Sequence, residues 1–467
     1  MTPNAACNIG ECAETIAGQR ANSASPSDIW VVRMRPNTNY EDIRITTPVN
    51  LKIFISPKSP TINSIIDPGV TLIRPTDELR YETLIYDYVV NSMLSNMINP
   101  FFVRYYGGAN DCTFDQLVNN LSKSTLNDQQ RNLALLRNTF FMSNHMPNRP
   151  SITDARELNP KRRQINGVSS AILAELFNVR NSIKYGLMAT SRSVGTSLRD
   201  WMQQRIQNGN FTTDGWVCIL QVVSALAALE GYQCAHNDLH HGNIFVEDNG
   251  CRYRLVYDDQ QQDFTTTITC NMTACLYDWD RSYVADLGNN PYLAAVDLCT
   301  KHAECNEYIP QRDMTKFFLH LMDYRGIDDN TKQTIINLLC SGNISKVNKD
   351  NFVDNVVNNG GQPGPAGMGF LVNSNTGNTM TRLEFDGIRT PKRVLSHMVN
   401  TLTKIPNSGV TPLVQYTSSN VPGVEDDLYN TYIFSIDRIN MFKSTFMTNE
   451  ELEQRRARGE EVKRMDL

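Results

Sequence analysis

Apolar positions along the chain recur with two periods. Val49, Leu51, Ile53 and Ile55 alternate with Asn50, Lys52 and Phe54, the two-residue period of a strand with one buried face. Residues 29–34 and 183–190 read as further strands. Thr76 has the character of a helix N-cap, with Asp77 and Glu78 suited to the positive helix end, and the predicted helix runs to about residue 97. On it Leu79, Glu82, Tyr86, Val89 and Met93 share one face by steps of three and four, so Glu82 interrupts an apolar stripe. Helical spacing returns at 117–137, 171–179, 196–207, 313–323, 329–339 and 391–402, and 449–464 is a charge-rich helix. Residues 216–230, WVCILQVVSALAALE, are apolar on most sides and closed by Gly231, which predicts a buried helix. Residues 245–277 read as a β region broken by a polar loop, and 107–181 as a polar, partly helical stretch. The first 28 residues are small and polar and read as a flexible segment, and GGQPGPAGMG at 360–369 reads as a linker.

Composition narrows the class. The chain has 467 residues, 40% hydrophobic and 20% charged, with 44 basic and 49 acidic side chains and a net charge of −5. This supports a large core and more than one domain, and excludes disorder throughout. The mild acidity argues against a surface that coats nucleic acid, so no direct nucleic-acid partner is expected. No uninterrupted apolar run approaches the roughly 18 residues of a membrane span, so no membrane partner is expected either. The opening MTPNAACNIGECAETIAG has neither a basic stretch nor an apolar core, unlike a secretory signal. The 11 cysteines include no CxxC pair and, without such a signal, read as reduced, mostly buried thiols. His302 between Cys299 and Cys305 leaves zinc as a rival, although the spacing fits no standard zinc pattern. Asn271 and Asn343 open formal glycosylation sequons that an Asn-dense chain produces by chance.

The candidate chemistry lies directly after the buried helix. His236-Asn237-Asp238-Leu239-His240-His241-Gly242-Asn243 leads into the strand Ile244-Phe245-Val246. Asp238 offers a carboxylate that can accept a hydroxyl proton, and Asn243 an amide oxygen suited to a hard cation. Cys275-Leu276-Tyr277-Asp278-Trp279-Asp280 places a further carboxylate at the end of a short apolar strand. Two acids and an Asn of this type are what a Mg-nucleotide phosphotransfer site needs. The alternatives are a structural loop with a satisfied core histidine, and a metal site built from His236, His240 and His241.

This stretch resembles the catalytic loop of the protein-kinase-like superfamily, H-x-D-x-x-x-x-N followed by a strand and a metal-binding Asp. It is particularly similar to the divergent Ser/Thr kinases of large DNA viruses, which often read H-N-D-L-H-x-G-N-I. The resemblance implies an α+β, two-lobed fold with ATP between a small β-rich lobe and a larger helical lobe. Residues 29–189 would form the first, with an insertion at about 107–181, and 190–359 the second, followed by the 360–369 linker and a 370–467 extension. It implies that Asp238 is the catalytic base, that Asn243 and Asp278 bind Mg2+, and that His236 braces the loop. VNLKIFI resembles the strand that carries the phosphate-binding lysine, which makes Lys52 that lysine and Glu82 its helical partner. The bland readings are a Lys lying along the surface and a Glu at the solvent edge. Residues 184–190 followed by a helix resemble the hinge, so the backbone near Met188 and Ala189 would meet adenine. Asp313 resembles the buried Asp that braces the catalytic loop. The partners implied are a protein substrate and other virion proteins, in the host cytoplasm or packaged in a virion.

Several positions depart from the family pattern. No glycine occurs between Gln19 and Pro68, where a Gly-rich phosphate loop is expected. Asn237 replaces the usual Arg, Asp280 replaces the glycine after Asp278 and Trp279, and no A-P-E sequence is evident. His240 stands where Ser/Thr kinases carry a lysine that stabilises the transferred phosphoryl group. Three functions therefore compete: a protein kinase, a small-molecule kinase of aminoglycoside or choline type, and a catalytically inactive scaffold.

Overall fold

The computed structural model describes residues 13–20, 28–34, 39–40, 43–44, 49–55, 78–113, 184–191, 195–207, 212–247, 251–258, 264–295, 299, 304–324, 326–340, 387–404, 410, 414–415 and 430–445. The predicted helices at 117–137, 171–179 and 449–464, the Thr76 cap and the 360–369 linker lie outside them. The fold is α+β, with helices beside several small sheets, most of their strand pairs antiparallel.

Strands β1 (Ala13–Arg20), β2 (Asp28–Met34), β3 (Val49–Ile55), β4 (Tyr105–Thr113) and β5 (Lys184–Ser191) make a five-stranded sheet in the order β1-β2-β3-β5-β4. Every neighbouring pair is antiparallel. Two parts of this sheet differ from the sequence expectation. Residues 13–20, read as part of a flexible segment, form β1, and the start of the polar 107–181 stretch belongs to β4. Neither run alternates cleanly. Among the described residues both are edge strands with one neighbour that fixes them, with register shifts at Ala13/Thr15 and Ile16/Gly18 in β1, and at Tyr105/Gly107 and Ala109/Cys112 in β4.

The helix that carries Glu82 begins as α1 (Glu78–Ile85), widens to a π turn over Tyr86–Asn91 and closes with Ser92–Ser95. Tyr86, Val89 and Met93 are buried, as the stripe required, and the wider turn brings Val90 inside as well. After β5, the short strand Thr196–Ser197 precedes α2 (Leu198–Gln207).

Helix α3 (Thr212–Gly231) is the axis of the core. It is long and apolar enough to cross a membrane, but 83% of its most apolar window is buried inside the protein. Its two central polar residues are satisfied. Gln221 donates to the Met272 carbonyl (3.0 Å) and accepts the Ala274 N–H (2.7 Å), while Ser224 accepts from Asn99 (3.0 Å).

Strand β6 (Ile244–Glu247) pairs with β9 (Thr273–Leu276) and with Thr196–Ser197. Between them β7 (Cys251–Asp258) and β8 (Phe264–Cys270) form a hairpin. Helices α4 (Pro310–Met322), α5 (Asp329–Leu339) and α6 (Pro391–Leu402) follow. The C-terminal residues join this assembly. Strand β10 (Asn430–Ser435) pairs in parallel with β7, and α7 (Ile436–Thr445) follows it. Val394, Met398, Phe434 and Ile439 belong to the same core cluster as α3.

Cys218, Cys234, Cys275 and Cys340 are buried thiols. Cys299 and Cys305, expected reduced, instead form a disulfide, because the chain between them returns to a Cα separation of 4.4 Å.

Candidate active site

Lys52 lies at the centre of β3, opposite Met188 of β5. Asn50 and Lys52 are both buried, so the polar face of the alternating strand points inward. The Lys52 ammonium contacts both Glu82 carboxylate oxygens at 3.1 Å and Asp278 Oδ1 at 2.7 Å. Glu82 is fully buried, so its charge requires this partner. Burial works against the Lys52 charge, yet Asp278 and Glu82 beside it hold its pKa well above the ordinary value. Lys52 is therefore neither a surface lysine nor Glu82 a solvent-edge acid.

The loop after α3 is braced from beneath by α4. Asp313, in the first turn of that helix, accepts the backbone N–H groups of His236 (2.6 Å) and Asn237 (2.9 Å). Lys316, one turn on, donates to the Asn237 carbonyl at 2.6 Å. Asn237 has a φ of 63°, in the left-handed region where Asn is among the better-tolerated residues. Its side chain bonds the carbonyls of Arg281 (2.9 Å) and Cys305 (3.1 Å). The three histidines do not converge on a metal. His236 Nε2 pairs with the Tyr277 carbonyl (3.0 Å), His241 lies between the Tyr324 hydroxyl (2.9 Å) and the Phe317 carbonyl (3.0 Å), and His240 Nδ1 accepts the Gly242 N–H (2.9 Å).

Asp238 is 6% exposed, and its Oδ1 is buried without a hydrogen-bond partner. Its Oδ2 faces Arg281 Nη1 at 3.6 Å, His240 Nε2 at 3.9 Å and the Asn243 amide nitrogen at 3.4 Å. Burial alone would raise the Asp238 pKa, but the positive charges around it, Arg281 foremost and Lys316 with it, hold the carboxyl below its ordinary value. His240 itself is driven down by burial, more than Asp238 restores, which with the Gly242 bond makes it a neutral ring with its proton on Nε2.

Asn243 directs its amide nitrogen at the Asp238 carbonyl (3.0 Å), so its Oδ1 is the oxygen that could accept or ligate. The β6–β9 register pairs Ile244 with Leu276, and the Tyr277 N–H donates to the Asn243 carbonyl (3.2 Å), so Asp278 follows directly beside Asn243. Asp278 has a φ of 70° and a side chain 26% exposed, with Oδ1 on Lys52. A non-Gly residue held in that backbone region marks a position the surroundings over-determine. Asp278 Oδ2 and Asn243 Oδ1 are hard oxygen donors of the kind Mg2+ takes alongside phosphate oxygens. Burial and neighbouring Asp278 push the Asp280 carboxyl well above its ordinary value, and its Oδ1 is unpartnered.

Trp279 is fully buried and links the two halves of the site. His236 packs on it with ring centroids 4.6 Å apart, Tyr86 meets it edge-on at 6.5 Å, and Tyr86 stacks on Tyr105 at 5.4 Å. One line of aromatic rings thus runs from the loop through the Glu82 helix to the sheet.

Met188 and Ala189 do not offer a free backbone edge. They sit inside β5, paired to Lys52 and Leu51 on one side and to Gly108 and Gly107 on the other, so sheet bonding occupies them. Their place is one wall beside Lys52. Three charged residues that the sequence does not single out stand here as well. Arg281, Glu304 and Lys316 surround Asp238, but they come from separate segments and carry no local pattern. The chain matches no protein-family model, and no curated protein matches it.

Proposed function

We propose that the protein is an ATP- and Mg2+-dependent phosphotransferase with a two-lobed, protein-kinase-like architecture, acting on Ser/Thr hydroxyls of a protein substrate. The observation that carries this reading is the position of Lys52. It bonds Glu82 of the helix and Asp278 after β9 at once, so the sheet, that helix and the segment beside Asn243 meet at this ammonium. A cation held between two buried acids is preorganised to meet the phosphates of a nucleotide. Asp238 orients the acceptor hydroxyl and takes its proton, and its Oδ1 has no hydrogen-bond partner among the described residues. Asn243 and Asp278 would hold Mg2+, which when bound neutralises phosphate charge. Asp313 and Lys316 fix the loop so that Asp238 need not reorganise.

A second reading, a scaffold that keeps this fold without transfer, draws on the absence of glycine between Gln19 and Pro68. The test that separates the two is transfer of the ATP γ-phosphate to a generic protein acceptor or to the chain itself, with Asp238→Asn as control. Transfer above that control supports the enzyme, and its absence supports the scaffold.

A further inference from the structure

Phosphoryl transfer needs positive charge where the moving group sits, and the family's usual lysine is here a neutral His240. Four side chains act as cations or potential cations on Asp238: Arg281, His240, Lys316 and His236, against the acids Asp278 and Glu304. Three of the four are anchored at the loop. His240 Nδ1 holds the Gly242 N–H, His236 Nε2 holds the Tyr277 carbonyl, and Lys316 is buried on the Asn237 carbonyl. Lys52 is bound by Glu82 and Asp278.

Arg281 is different. Its side chain is 25% exposed, and its Nη1 sits 3.0 and 3.1 Å from the two oxygens of Glu304, as well as 3.6 Å from Asp238. Glu304 is fully buried and also lies 3.7 Å from Lys316. A buried carboxylate thus pins one nitrogen of the guanidinium. Nη2 and Nε remain as donors in the fixed fork that suits a phosphoryl group. The backbone is tied as well, since the Arg281 carbonyl accepts from Asn237, the residue before Asp238.

We propose that Arg281 is a catalytic residue, the cation that meets the transferred phosphoryl group, and that Glu304 is the residue that positions it. This rests on the phosphotransfer reading. In the step, the acceptor oxygen bonds to the γ-phosphorus and the bond from phosphorus to the bridging oxygen breaks. The electron pair leaves on ADP, and the hydroxyl proton passes to Asp238. Arg281 stands beside Asp238, where negative charge gathers as the group moves.

The test uses the full chain with Mg-ATP and a generic Ser/Thr protein acceptor, and compares Arg281→Gln, Arg281→Lys, Glu304→Gln and His240→Gln. Arg281→Gln is expected to lower kcat by about 100-fold, with KM for ATP within about twofold, as loss of a transition-state donor does. Arg281→Lys should recover roughly tenfold of that loss, Glu304→Gln should cost about tenfold, and His240→Gln should cost less than that. Thermal stabilisation by Mg-ATP should survive in all four. Should Arg281→Gln fail to fold, the other two substitutions in the Arg281–Glu304 pair decide. The proposal is overturned if Arg281→Gln keeps the kcat of the parent chain, or if Arg281→Lys and Glu304→Gln fold and are fully active. A parent chain with neither Mg-ATP stabilisation nor transfer would instead remove the phosphotransfer reading, and this inference with it.

Discussion

Lys52 and Glu82 lie 30 residues apart, on a strand and a helix, and meet as a buried pair with both carboxylate oxygens 3.1 Å from the ammonium. Asp278, 226 residues from Lys52 along the chain, closes the same contact at 2.7 Å. Removing Lys52 leaves the fully buried Glu82 facing Asp278 with no cation between them. Lys52→Met should therefore destabilise the fold by about 3–5 kcal/mol. Lys52→Met with Glu82→Leu should recover part of that loss, since the fully buried acid is then gone. Urea unfolding of both variants checks this, and equal stability of Lys52→Met and the parent would count against the pair.

Asp313 serves two amide donors with one carboxylate. Asp313→Ala would leave the His236 and Asn237 N–H groups unpaired in the interior, at roughly 1.5–3 kcal/mol for each charged hydrogen bond lost. The loop should loosen before the rest of the fold does. Amide exchange at residues 236–238 should accelerate in that variant, while exchange along α3 should change only with global stability.

Gly195 has a steric reason to be glycine. A Cβ there would fall on the Val246 carbonyl of β6, a backbone atom that cannot move aside cheaply. Gly195→Ala should force Thr196–Ser197 away from β6 and cost about 1–3 kcal/mol, the range for overpacking. Thermal unfolding of this single variant measures it.

Acid should weaken the fold through its buried imidazoles. Burial lowers the His241 pKa to about 3 and that of His320 to about 2, against about 6.5 in the unfolded chain. The folded state then binds fewer protons than the unfolded one. The contribution is fully present above pH 6.5 and is lost progressively as pH falls from there towards 3 and 2, by up to about 1.4 kcal/mol per pH unit for each ring. Urea midpoints between pH 7 and 5, a range above most carboxylate titration, should fall for the parent chain and fall less for His320→Gln. Parallel slopes in the two proteins would contradict this origin.

Local patterns carried much of the fold because they report burial. The α3 run from Trp216 is apolar on most sides, and it is the core axis. The alternation at Val49–Ile55 set Lys52 on the polar face, whose burial it did not announce, and Glu82 showed itself by interrupting an apolar stripe. The loop from His236 to Asn243 was legible because its chemistry is contiguous. Arg281, Glu304 and Lys316 were not, since each is an ordinary charge until the chain brings it beside Asp238. Edge strands β1 and β4 were missed because pairing with one neighbour, not side-chain alternation, defines them. Cys299 and Cys305 were read by compartment, whereas their short separation let the chain close on itself. The C-terminal strand β10 joins in parallel with β7, a long-range pairing that no local sequence signal announces.

The most direct measurement is single-turnover transfer of the γ-phosphate from radiolabelled Mg-ATP by the parent chain and by Asp238→Asn. The expected result is phosphorylated protein hydroxyls with the parent, and transfer lower by at least about 100-fold when the carboxylate cannot take the proton. Equal label with both proteins, or none with either, would contradict the assignment of Asp238 as the base of a phosphotransferase.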